Sequence, residues 1–192
     1  MNQLAVDVRI ERVSRIDLRE NLSVVPIVWL VERSIGTFFE RHTIGSAKES
    51  IRVPLVISGP GIRPMVNQDL VLNIDIFPTL LAMLGKESPP PLHGVSLLPV
   101  LTEEEWPEKR AHIYYQAPTP QLGSQPLAAI RTQRYKYIET YDETDTTRVV
   151  FQELYDLQED PYELNNLAVD QTHNQLIQQL KRTLQQEQRN YH

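Results

Sequence analysis

Cysteine is absent from all 192 residues, which excludes disulfides, thiolate metal sites and a cysteine nucleophile within this chain. Long apolar runs are also missing. Val24 to Val31 is the longest and contains Pro26, whereas a membrane-spanning helix needs about 20 apolar residues. The stretch from Met1 to Asn21 alternates charges where a signal peptide would be apolar, so neither a membrane span nor an export signal is expected and the compartment is left open. Positive charge is in deficit. Lys and Arg number 19 against 25 Asp and Glu, a net charge of −6, and they are scattered among the carboxylates, so no basic stripe is available to neutralise a nucleic-acid backbone. What is present is a hydrophobic content of 41%, enough for one sizeable domain or two small ones.

The chain is organised around Ile51 to Ile62, which reads I-R-V-P-L-V-I-S-G-P-G-I. Val53 to Ile57 is apolar without polar alternation, the pattern of a strand covered on both faces, as in a parallel sheet flanked by helices. Ser58-Gly59-Pro60-Gly61 stops it with turn residues. A helix is expected next, with Asp75 as its cap, Pro78 in the first turn, Thr79 to Leu84 as its body and Gly85 at the left-handed position that ends it. Val24 to Val31 reads as a second strand of the same kind. Upstream, Val6, Ile10, Val13 and Ile16 fit one stripe of a helix over Leu4 to Arg19, while the alternation Val6, Val8, Ile10 fits a strand, and the period alone does not choose.

Lys86 to Pro91 ends in three consecutive prolines and reads as a stiff connector, so two domains are expected, 1–88 and 89–192, the first degraded over 1–48. His93 reads as a turn residue. Thr102 to Lys109 reads as a short helix with Thr102 as cap and Glu105 as capping-box partner. From Arg110 the pattern becomes short strands, Ile113 to Tyr115, Ala128 to Ile138 and Val149 to Leu157, whose alternation indicates antiparallel pairing with one face buried. Asp160-Pro161 begins a turn, and Asp170 or Thr172 can cap a final helix with Leu176, Ile177, Leu180 and Leu184 on one side.

Four phrases in one order resemble the sulfatase family of the alkaline-phosphatase-like superfamily: Glu49 to Ile62, Leu72 to Leu81, His93 to Leu101, and Glu153 to Ala168 (E-L-Y-D-L-Q-E-D-P-Y-E-L-N-N-L-A). The resemblance implies an α/β fold, the C-terminal part of an alkaline-phosphatase-like parallel sheet followed by a small α+β subdomain with an antiparallel sheet and a C-terminal helix. It also implies a reaction, the hydrolysis of a sulfate ester. Two candidate substrate contacts follow from it, Lys48 as a ligand of the sulfate and His42 six residues before it.

The same resemblance implies a calcium ion and a formylglycine nucleophile for the family, and this chain departs from both. With Gly36 set on the glycine of the family's Asp-Asn-Gly signature, Ser34 and Ile35 occupy the ligand positions; only a slipped alignment brings in Glu32. No Cys/Ser-x-Pro-x-Arg signature is present, since Ser124-Gln125-Pro126-Leu127-Ala128 lacks the arginine. The expectation is a C-terminal portion of a sulfatase, inactive alone, with no metal or cofactor of its own. Its expected partner is the N-terminal half of a sulfatase, or a second copy joined through an open sheet edge. The alternatives are a non-catalytic binding or structural module, or a portion of a related phosphodiesterase or phosphonate hydrolase. Leu70 to Leu84 and the His93 phrase look most like the N-acetylglucosamine-6-sulfatase branch, hinting at sulfated sugars.

Overall fold

The computed structural model describes residues 7–10, 27–30, 52–59, 61–62, 65–90, 92–102, 106, 109–117 and 125–190. They fall into two compact units, one ending at Arg110 and the other starting at Ala111.

The first unit holds a mixed sheet of β1 (Asp7–Ile10), β2 (Ile27–Leu30), β3 (Arg52–Ser58) and β4 (Val71–Leu72), in the order β2-β3-β1-β4. β1 runs parallel to β3, with Val8 opposite Val53. The helix reading fails at Asp7–Ile10, where the competing alternation is realised as β1; the rest of Leu4 to Arg19, apart from these residues, lies outside the described residues. A pairing partner at β3 decides what a four-residue period cannot. The Val24 run forms β2, but antiparallel to β3, with Trp29 opposite Val56. An apolar run carries no strand direction, so pairing with β3 decides it, and a mixed sheet accommodates the run as well as a parallel one.

Leu55 at the middle of β3 is fully buried, and with Ile57, Val71, Leu97 and Leu101 it makes the core of this unit. Helix α1 (Ile76–Met83) and the short helix α2 (Leu98–Leu101) contribute to it. α1 ends as its sequence requires. Gly85 has φ +64, its amide donates to the Ala82 carbonyl at 3.0 Å, and the Lys86 amide donates to the Leu81 carbonyl at 2.9 Å, a Schellman closure. Thr102 closes α2, its hydroxyl donating to the Leu98 carbonyl at 3.0 Å; of the helix expected over Thr102 to Lys109, Glu105 and most other residues lie outside the described ones.

The second unit is an antiparallel sheet of β5 (His112–Ala117), β6 (Leu127–Thr132), β7 (Tyr135–Tyr141) and β8 (Val149–Asp156), in chain order, with helix α3 (Asn174–Asn190) against it. Ile177, Leu180 and Leu184 of α3 pack on Ala128, Ile130, Tyr137, Tyr141 and Leu154. Asp170 is the cap, accepting the Thr172 amide at 2.9 Å in the turn that leads into α3. Two sequence expectations need correction here. The stretch Ala128 to Ile138 is two strands, because Thr132 closes a tight turn: the Tyr135 amide donates to the Thr132 hydroxyl at 2.8 Å, and that hydroxyl donates to the Tyr135 carbonyl at 3.1 Å. Both faces of the sheet are buried as well, since Tyr115, Leu127, Ala129, Ile138 and Tyr155 form a second cluster.

Candidate functional site

Lys48, His42, Ser34, Ile35 and Glu32, the residues to which the sequence assigns or denies a role at a sulfate or metal site, all lie outside the described residues. The geometry that can be read is that of the elements carrying the family-like phrases.

Asp75 stands at the head of α1 with no solvent exposure. It was expected to cap the helix, and it faces the other way. Its carboxylate accepts the Leu72 amide at 2.8 Å, the Val95 amide at 2.9 Å and both terminal nitrogens of Arg110 at 2.6 Å. A planar guanidinium donating twice matches the two carboxylate oxygens, and four donors satisfy a charge that burial alone would make costly. Thr79 extends the same junction: its hydroxyl donates to the Asp75 carbonyl at 2.5 Å and accepts the Leu97 amide at 2.9 Å. Gly94 completes it. A Cβ there would lie 2.0 Å from the Ile74 carbonyl oxygen, so no other residue fits. The phrases at Leu72 and His93 are therefore one interlocked piece, with His93 exposed beside Gly94.

The phrase Glu153 to Ala168 is a clasp around the end of β8. Asp156 holds the Arg134 guanidinium at 2.8 Å and 2.9 Å, and that contact keeps its carboxyl below the ordinary aspartate range. Asp160 accepts the Asn165 amide at 2.8 Å in the turn that follows. Glu163, with φ +57, reaches Lys136 at 2.6 Å. Lys136 is 1% exposed, and its burial pulls the ammonium below the ordinary lysine range, with Glu163 partly offsetting this. Asn166 then runs along β8, accepting the Leu154 amide at 3.0 Å and donating to the Gln152 carbonyl at 3.0 Å.

Under α3 lies a third group. Glu139, 2% exposed, accepts the hydroxyls of Tyr137 at 2.8 Å and Tyr141 at 3.0 Å, and the Lys181 ammonium stands 3.2 Å away. Burial first, and then the Glu139 charge, push both phenols far above the ordinary tyrosine value, so they act as fixed donors. Each of these groups positions backbone and side chains. The sequence signal for the third was available in Y-x-E-x-Y, which places Tyr137, Glu139 and Tyr141 on one face. Arg110 as partner of Asp75, 35 residues away, had none.

Calcium takes about six to eight oxygen ligands, from carboxylates, carbonyls and water. Among the described residues no group of three or more His, Asp or Glu could hold a metal ion, and Glu32, Ser34 and Ile35 lie outside them. Among the described residues, no helix is long and apolar enough to cross a membrane.

The family model described as "N-sulphoglucosamine sulphohydrolase, C-terminal" matches residues 36–190. Choline-sulfatase of Rhizobium meliloti is 38% identical over 122 residues, covering 62% of this chain and 22% of that protein. N-acetylglucosamine-6-O-sulfatase of Bacteroides thetaiotaomicron is 30% identical over 151 residues, covering 75% of this chain and 26% of its own length. Among solved structures, a 2-O GAG sulfatase superposes with a TM-score of 0.65 at 26% identity, over 76% of this chain and 31% of that one. The chain thus spans about a quarter of the length of these curated relatives.

Proposed function

Since this chain belongs to the sulfatase family, whose C-terminal domain it matches, we propose that it is the scaffold portion of a sulfate-ester hydrolase and that these 192 residues alone do not catalyse the reaction. The observation that carries this is the fate of the four family-like phrases. Those that fall in the described residues are occupied by backbone closure and ion pairs, at Asp75 and from Asp156 to Asn166, and no formylglycine signature accompanies them. Cleavage of a sulfate ester requires a nucleophile in line with sulfur and positive charge about its oxygens. Lys48 and His42 supply the charge in this reading. The nucleophile and the calcium ligands come from a further sulfatase segment that extends the sheet past an outer strand, β2 or β4; a second copy of this chain is the other occupant of such an edge. A sulfated sugar is the substrate class this reading takes, from the likeness of Leu70 to Leu84 and the His93 phrase to the N-acetylglucosamine-6-sulfatase branch.

A non-catalytic module is the competing reading, favoured by Ser34 and Ile35 at the metal positions. Sequencing the DNA immediately upstream of Met1 separates the two. An in-frame segment encoding Cys/Ser-x-Pro-x-Arg and paired aspartates is expected for the scaffold portion; a promoter directly ahead of Met1, with no such frame, would leave the module.

A further inference from the structure

We draw no further inference here: the strongest candidate, the outward apolar face of α1 carrying Phe77 with Leu84 just beyond its end, is an unpartnered surface patch, and nothing in the structure shows what covers it.

Discussion

A carboxylate without solvent contact, as at Asp75, is tolerable only because two backbone amides and a guanidinium donate to it. Asp75→Asn keeps the shape, removes the charge and strands Arg110. Breaking one side of a buried pair commonly costs about 3 to 5 kcal/mol, and a loss near about 3 is expected in urea unfolding. A loss under about 1 kcal/mol would show that Arg110 finds water instead. Acid sensitivity also belongs to single residues. Asp142, Asp145, Asp156, Asp160 and Asp170 are all held below the ordinary aspartate value, Asp142 and Asp145 first by threonine hydroxyls, Asp156 by Arg134, Asp160 and Asp170 by backbone amides. A depressed folded-state pKa contributes stability that is complete above the unfolded value, about 3.9, and is lost as pH falls through the folded one. Thermal melts should therefore fall steeply below about pH 4, and Asp156→Asn should flatten part of that fall. An unchanged slope in the variant would remove Asp156 from the explanation.

At the level of elements, each sheet has, among the described residues, interior strands that pair on both sides and outer ones that pair on one. β6 and β7 are interior and buried on both faces, so their amides should exchange slowest by mass spectrometry, with β5 and β2 faster. Equal protection of β2 and β7 would mean that something covers the β2 edge. Gly94→Ala should cost more than Gly61→Ala, because a Cβ at Gly94 meets the Ile74 carbonyl oxygen at 2.0 Å, whereas one at Gly61 meets no atom within 4 Å and brings only the strain of φ +80, about 1 to 2 kcal/mol. Similar melting temperatures for the two variants would contradict the close approach. Elements whose signals are local were legible in the sequence: the apolar run of β3, the Gly85 stop, the Asp170 cap and the buried stripe of α3. Those that depend on distant partners were not. β1 reads as helix or strand until β3 stands beside it, the direction of β2 is set by pairing, and Asp75 is drawn from its cap by Arg110 and Val95. The hairpin at Gln133-Arg134 escaped notice because it has neither glycine nor asparagine, and the Thr132 side chain closes it instead.

For the whole molecule, the scaffold reading assigns the nucleophile and the calcium ligands to another segment. The family membership follows from a match over residues 36–190, while the candidate sulfate contacts, Lys48 and His42, rest on the order of the phrases around them. Calorimetric titration with calcium should give no site tighter than about millimolar, since tighter sites require several charged oxygen ligands in a rigid loop. A single micromolar site would mean that Gly36 is wrongly set on the glycine of the family's metal signature. The most direct measurement is hydrolysis of an aryl sulfate and of a 6-sulfated glucosamine by the purified chain, with and without calcium. Removing one transition-state donor alone commonly costs about a hundred- to a thousandfold, and the scaffold reading leaves both nucleophile and metal to another segment, so it predicts that release of sulfate equals that in buffer. Turnover that survives purification and disappears in Lys48→Ala would show a working active site within these residues and contradict the scaffold reading.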